Sequence, residues 1–238
     1  MVTPAWQQGD VTLYLGDCLE VLPTLRNESV QLVLTDPPYM MAAVSSGQLG
    51  GKCGTWGDMM NSAFWYAAWY TECWRVLDEA GCFWTFTSWR TLPITLEAAA
   101  RARIGVTSML VWDKEWIGPG GISGLRPSYE LIALMGKSKF AIPDRSTPDI
   151  WRCPSSSQKP HGHPAEKPER LLRLLIERTA IMGTVLDPFM GSGTTGVACV
   201  QLGRKFIGIE IDKTYFDIAV KRISEAQMQI RLPLVEEA

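Results

Sequence analysis

The amino-acid sequence predicts an α/β fold with a mostly parallel sheet. Short apolar runs of strand length alternate with longer segments of helical period, the pattern of repeated strand–helix–strand units. Several runs are apolar at nearly every position, such as Val30, Leu32, Val33 and Leu34, as expected of strands covered on both faces. Two runs end in an acid followed by turn-forming residues, at Asp36 and at Asp187, and ligands of open α/β sheets bind beyond the carboxyl ends of the strands. A chain of 238 residues buries one sizeable core, so a single domain over 1–238 with insertions is expected.

Residues 11–15 read as a strand, and Asp17 then caps a short helix. The strand ending at Asp36 follows. Residues 40–61 are glycine-rich and have no clear period, and long loops of that kind are generally functional or mobile; a mobile loop is expected at about 40–60. Between 61 and 77, Tyr66, Trp69, Tyr70, Cys73, Trp74 and Leu77 share one helical face, which reads as core. A strand over 81–89, a helix over 91–103 and a strand over 106–112 come next. Residues 114–128 form a glycine-rich loop before a strand over 129–135. Residues 137–160 follow neither period and carry Lys137, Lys139, Arg145, Arg152 and Lys159. The segment 163–168 opens a helix with Leu171, Leu172, Leu175 and Ile176 inward. A strand over 184–186, a glycine turn, a helix over 196–202 closed by Gly203, a strand over 205–211 and a helix over 215–228 complete the chain.

Composition narrows the chemistry. Hydrophobic residues make up 46% and charged residues 20%, ordinary for a globular protein. No apolar run is long enough to span a membrane, and Met1 to Trp6 lacks a basic-then-apolar pattern, so a cytoplasmic protein is expected. Cys18, Cys53, Cys73, Cys82, Cys153 and Cys199 include no C-x-x-C pair, which argues against a structural zinc site or a disulfide framework. With only His161 and His163, neither Ser-His-Asp catalysis nor a zinc helix is supported, and no metal is expected. A net charge of −2 excludes a polycation and leaves room for a local basic patch.

The stretch Asp36-Pro37-Pro38-Tyr39 is stiff. Neither proline donates an N–H and each constrains its predecessor, so the strand must end in a rigid extended turn between a carboxylate and an aromatic ring. Later, Asp187-Pro188-Phe189-Met190-Gly191-Ser192-Gly193-Thr194-Thr195 joins a strand to a helix. Gly191 and Gly193 allow close backbone approach, and the helix-opening N–H groups with the Ser192, Thr194 and Thr195 hydroxyls can hold an anion. Glu210 lies about 20 residues on, where an acid pairs with ribose hydroxyls. The turn is not G-x-G-x-x-G and lacks the P-loop lysine, so a carboxylate suits it better than a pyrophosphate. S-adenosylmethionine has that carboxylate, an adenosine and a sulfonium.

With both motifs in place, the chain resembles the DNA amino-methyltransferases of the β group, in which D-P-P-Y precedes the cofactor segment. The resemblance covers residues 16–39 and 163–223. It implies a Rossmann-like sheet with an added antiparallel strand, in circularly permuted order, that brings the 30–34 and 184–186 strands side by side. It implies S-adenosylmethionine as cofactor, with Asp17 and Cys18 at its adenine, Lys167 near its methionine end, and Asp36, Asp187, Phe189, Gly191, Ser192, Gly193, Thr194, Thr195, Glu210 and Ile211 in its site. Catalysis would fall to Asp36, Pro37, Pro38 and Tyr39: the Asp36 carboxylate and Pro37 carbonyl accept the two N–H bonds of an exocyclic amine, and Tyr39 stacks on the extruded base.

An Asp in this motif favours the N6 of adenine; cytosine-N4 methylases of similar sequence usually carry Ser. The alternatives are an N4-cytosine methylase, a non-catalytic nucleic-acid or cofactor-binding protein of the same fold, and methylation of RNA or a protein glutamine, which goes with N-P-P-Y. Residues 137–160 would be a short DNA-recognition insert with Lys137, Lys139, Arg145, Arg152 and Lys159 on DNA, and its shortness predicts a short or relaxed recognition sequence. By analogy with the family a homodimer is possible.

Overall fold

The computed structural model describes residues 2–39, 56–117, 125–155, 167–179 and 182–231, without the side chains of 56–59 and 231. In chain order the elements are β1 (Trp6–Gln8), β2 (Val11–Leu15), α1 (Cys18–Val21), β3 (Val30–Thr35), α2 (Trp56–Val76), β4 (Leu77–Thr87), α3 (Leu92–Arg101), β5 (Ser108–Asp113), β6 (Tyr129–Gly136), β7 (Ile150–Arg152), α4 (Glu169–Thr179), β8 (Thr184–Asp187), α5 (Thr194–Gln201), β9 (Lys205–Glu210) and α6 (Lys213–Arg231). Among the described residues no helix is long and apolar enough to cross a membrane.

The described strands form one sheet in the order β1-β2-β9-β8-β3-β4-β6-β5-β7. From β2 through β4 neighbouring strands are parallel, whereas β6 runs antiparallel to both β4 and β5. Both faces are covered, which is why the strands read as apolar runs rather than alternating ones. One core collects Leu32, Leu34, Trp84, Phe86, Ile132 and Val185 with α4, α5 and α6. The other collects Val33, Phe83, Ala133, Met135 and Leu186 with α1, α2 and α3.

The connection from β8 through α5 to β9 covers one face, and the connection from β3 through α2 to β4 covers the other. Strands β3 and β8 are adjacent, with Leu32 opposite Val185 and Val33 opposite Leu186. The crevice beyond their carboxyl ends is therefore a topological switch point, the usual ligand site of such a sheet. The sequence places D-P-P-Y after β3 and the glycine motif after β8, so both open into that crevice.

The structure corrects several boundaries. Helix α2 begins at Trp56, so residues expected in the 40–60 loop are helical from 56 onward, while 40–55 lie outside the described residues. Gly57 reads as a breaker, yet in a helix's first turn its cost is small. Strand β1 went unseen because three residues show no alternation; it pairs with β2 across a two-residue Gly9-Asp10 turn, with Gly9 at φ +56°. Within 137–160, expected to be irregular, Ile150–Arg152 forms β7 on the edge of the sheet beside β5.

Candidate active site

A cavity of about 950 Å³ opens at the switch point. It is lined by Asp36, Pro37, Pro38 and Tyr39 after β3, by Phe189 to Ser192, Thr194 and Thr195 after β8, and by Glu210, Ile211 and Asp212 after β9. Phe86, Trp112, Lys114, Trp116, Glu130 and Lys167 close the far side. Single ligand sites occupy about 300–1,000 Å³, so this volume is at the upper end.

The double proline ends β3 and aims the motif into the cavity. Asp36 is the residue at which the ladder stops. Its Oδ2 is 2.8 Å from Nζ of Lys167, whereas its buried Oδ1 accepts no hydrogen bond from any described residue. Lys167 also lies 3.0 Å from Oε2 of Glu130, whose Oε1 is 2.6 Å from Nζ of Lys114. Two carboxylates and two ammonium groups thus alternate in a chain of ion pairs whose formal charges cancel. The Lys167 ammonium also sits 5.5 Å from the Tyr39 ring centroid and 5.1 Å from that of Phe86. The Tyr39 hydroxyl donates to Glu130 at 3.4 Å. The hydroxyl of Tyr66, on the buried face of α2, donates to the Pro38 carbonyl at 2.7 Å and fixes the turn from below.

These contacts set the ionisation. Burial pushes the Asp36 carboxyl up, Lys167 pulls it back and Glu130 pushes it up again, leaving it above its ordinary value. Burial also pushes Glu130 up, but Lys167 and Lys114 together outweigh that and hold it below its ordinary value. Burial lowers Lys167, and its two carboxylate partners more than compensate.

The glycine motif is held from three sides. Buried Asp187 accepts hydrogen bonds from the Thr35 hydroxyl at 2.7 Å, the Thr195 hydroxyl at 2.7 Å and the Phe189 N–H at 3.1 Å. It ties β3 to the loop, and burial raises its carboxyl from 3.8 to about 6. Glu210 accepts from the Gly191 N–H at 2.9 Å and from the Asp212 N–H at 2.8 Å. Arg222 of α6 donates to the Ser192 carbonyl at 2.8 Å, its hydroxyl at 2.9 Å and the Thr194 hydroxyl at 3.1 Å. Gly193 has φ +81°, and a Cβ there would lie 2.8 Å from that of Ala219, so only glycine lets α5 start this close to α6.

The profile of a family described as DNA methylase, the N6/N4 methyltransferases, matches residues 30–221. That is most of the chain. The chain belongs to the N6/N4 DNA methylase family. Among its relatives, the putative methylase YubD of Escherichia coli K12 is 32% identical over 89% of this chain and 89% of its own length. The DNA adenine methyltransferase YhdJ of the same organism is 28% identical over 90% of this chain and 83% of its own length. The crystal structure of an M1.HpyAVI–SAM complex superposes with a TM-score of 0.69 at 26% identity, covering 90% of this chain and 98% of the other. The protein is thus a DNA methyltransferase that uses S-adenosylmethionine.

The methylase's own residues fit that cofactor. The glycine loop and Glu210 stand at the carboxyl ends of adjacent strands β8 and β9, where an adenosine and its ribose can lie. The cations among the described lining residues, Lys114 and Lys167, are both committed to carboxylates, which suits a ligand without a pyrophosphate.

Of the residues expected at the cofactor, Asp36, Lys167, Asp187, Phe189, Gly191, Ser192, Thr194, Thr195, Glu210 and Ile211 line the cavity. Gly193 faces Ala219 instead. Asp17 and Cys18 do not line it: the Asp17 carboxylate accepts from the Leu19 N–H as the cap of α1, and Cys18 is buried in the core. The loop hydroxyls, expected to hold an anion, already have partners, Thr195 in Asp187 and the other two in Arg222.

The basic residues of 137–160 divide. Strand β6 runs from Glu130 at the cavity to Gly136, about 20 Å away at 3.3 Å per residue. Lys137 and Lys139 follow it and belong to the opposite end of the sheet, where Lys137 pairs with Glu79 at 3.7 Å. Arg145 adjoins Asp144, which pairs with Arg178 near the far end of α4 at 3.2 Å. Arg152, 76% exposed, lies at the cavity end beside Asp113. Lys159 is outside the described residues.

Reasoning from the sequence missed Tyr66, Lys114, Glu130 and Arg222 as parts of the site. Glu130 alone left a trace, as an acid opening an otherwise apolar strand.

Proposed function

We propose that the methylase transfers a methyl group to the N6 amine of an adenine taken out of the DNA duplex, with Asp36, Pro37, Pro38 and Tyr39 as its catalytic turn. The supporting observation is the buried Oδ1 of Asp36, an acceptor at the cavity wall with no hydrogen-bond partner within 3.5 Å among the described residues, although the Tyr39 hydroxyl lies near enough to Asp36 to help hold its charge. Buried acceptors are nearly always paired, so this oxygen awaits a donor brought by the substrate. The other oxygen is held by Lys167, so Oδ1 is the oxygen left for a substrate donor.

An exocyclic amine is a poor nucleophile because its lone pair is delocalised into the ring. Asp36 Oδ1 accepts one N–H of the amine and the Pro37 carbonyl accepts the other. Two acceptors on one side draw the nitrogen toward a pyramidal shape and aim its lone pair away from them, into the cavity. S-adenosylmethionine, when bound, supplies an electrophilic methyl group on sulfur. Tyr39 lies against the flipped base, and Tyr66 keeps the turn from swinging by holding the Pro38 carbonyl. Fixing the amine for in-line attack supplies much of the acceleration. Oδ1, accepting one N–H of the amine, is also placed to take the proton that the methylated amine must lose. Glu210, at the carboxyl end of β9 beside the glycine loop, would accept the ribose hydroxyls. Adenine rather than cytosine is supported by the Asp in D-P-P-Y and is the specificity in YhdJ's name.

DNA meets the protein on the face where the cavity opens. Arg152 and the exposed Trp116 stand on that face, whereas Lys137, Lys139 and Arg145 belong to the other end. The chain acts as a single methyltransferase domain in which residues 137–152 lead back from one end of the sheet to the other and contribute Arg152.

The test is Asp36→Ala assayed two ways. Calorimetry should give a dissociation constant for the cofactor within a few-fold of wild type, while transfer of labelled methyl to DNA is abolished. Substantial turnover in Asp36→Ala would sink the role assigned to Oδ1.

A further inference from the structure

The ion-pair chain behind Asp36 has a purpose that neither motif explains. We infer that Lys167 and Glu130 are a positioning pair that tunes the Asp36 carboxylate, with Lys167 reserved for Asp36 rather than for the cofactor. This rests on the reading of Asp36 as the acceptor of the target amine.

The geometry carries the inference. Lys167 is 9% exposed and its ammonium is spent on Asp36 at 2.8 Å and Glu130 at 3.0 Å, with the Tyr39 and Phe86 rings around it. An ammonium has three donors and no acceptor, so two carboxylates account for most of its capacity. Glu130 is in turn fixed by Lys114 at 2.6 Å. The three anchors come from three places: Lys167 immediately before α4, Glu130 from β6, and Lys114 after β5. A carboxylate gripped through one oxygen is restrained in rotation, and with it the direction of the other oxygen.

The pair also acts on Asp36 with opposite signs. A cation beside a carboxylate favours its charged form and a second carboxylate disfavours it. Lys167 therefore keeps Asp36 ready to accept an N–H. Glu130 both orients Lys167 and keeps Asp36 basic enough to take the departing proton. The remaining groups facing Asp36 are Tyr39 in its own turn, Tyr66 from α2 and Asp187 from β8. Burial raises the Asp187 carboxyl to about 6, within the range of a pH profile, but its partners are Thr35, Thr195 and the Phe189 N–H, not Lys167 or Glu130.

The experiment is the pH dependence of single-turnover methyl transfer in wild type, Lys167→Met and Glu130→Gln, with cofactor affinity measured by calorimetry on each. Activity falls on the acid side as Asp36 protonates. Without Lys167 that limb should move to higher pH; without the Glu130 charge it should move to lower pH. At neutral pH, Lys167→Met should lose on the order of 100-fold in rate, as for a misplaced reacting group. Its affinity for the cofactor should hardly change. Lys167→Arg should recover part of the rate and restore the wild-type limb.

Equal losses at every pH, with no displacement, would mean that the pair only supports the fold and would overturn the inference. So would a collapse of cofactor affinity in Lys167→Met. If Lys167→Met does not fold, the downward displacement in Glu130→Gln decides by its presence or absence. The methylated nucleoside is identified in the same samples. Transfer to cytosine would defeat the adenine reading, while the two displacements would still decide whether the pair tunes Asp36.

Discussion

Replacing Asp187 by Asn should make the methylase more stable at neutral pH. Asp187 is 3% exposed, and burial raises its carboxyl from 3.8 to about 6. A folded-state value above the unfolded one means that folding favours the protonated acid. The contribution to stability is then full below about pH 4 and is lost as pH rises toward 6. A rise of about two pH units at about 1.4 kcal/mol each makes the ionised group about 3 kcal/mol unfavourable above pH 6. Asn has the same shape, and its oxygen can accept from the Thr35 hydroxyl and the Phe189 N–H as Asp187 Oδ1 does. Its amide can donate to Thr195, whose hydroxyl rotates to accept. Urea denaturation of both proteins from pH 4 to pH 8 measures the difference directly, since other titrating groups cancel. Asp187→Asn should match wild type near pH 4 and gain up to about 3 kcal/mol by pH 7. A difference that is flat, or that favours wild type increasingly as pH rises, would refute the reasoning.

Glu210→Ala should weaken cofactor binding by on the order of 1.5–3 kcal/mol, the worth of charge-assisted hydrogen bonds, as read by calorimetry; an unmoved dissociation constant would remove the ribose role. Gly193→Ala should lose about 2 kcal/mol or more of stability in urea denaturation, because φ of +81° and a Cβ 2.8 Å from that of Ala219 leave nowhere to relax. Arg152→Ala should weaken DNA binding and lower the salt dependence by about one phosphate contact, whereas Lys139→Ala should change neither, as measured by fluorescence titration at several salt concentrations.

What the sequence disclosed were features confined to a few consecutive residues. A strand ending in Asp36-Pro37-Pro38-Tyr39 and a strand ending in Asp187 before Gly191 and Gly193 announce both the sheet and its ligand end, because prolines and glycines restrict the backbone locally. Glu210 was legible for the same reason, being placed by its spacing from the glycine turn. The ion-pair chain was not. Glu130 lies 91 residues beyond Tyr39 in the chain, and only the order β3-β4-β6 brings it into reach. Tyr66 read as one member of a core stripe, and it is core in its ring while its hydroxyl serves the turn. Charge alone did not show that Lys137 and Lys139 lie at the other end of the sheet: an eight-residue strand separates them from the cavity, and sequence proximity to a loop does not say which end of the sheet the loop is on.

In the proposed mechanism Asp36 orients an adenine amine for methyl transfer. The most direct measurement incubates the methylase with duplex DNA and methyl-labelled S-adenosylmethionine, digests the DNA to nucleosides and identifies the labelled one by mass. N6-methyl-2′-deoxyadenosine is expected with wild type and no labelled nucleoside with Asp36→Ala. Label in N4-methyl-2′-deoxycytidine would contradict it.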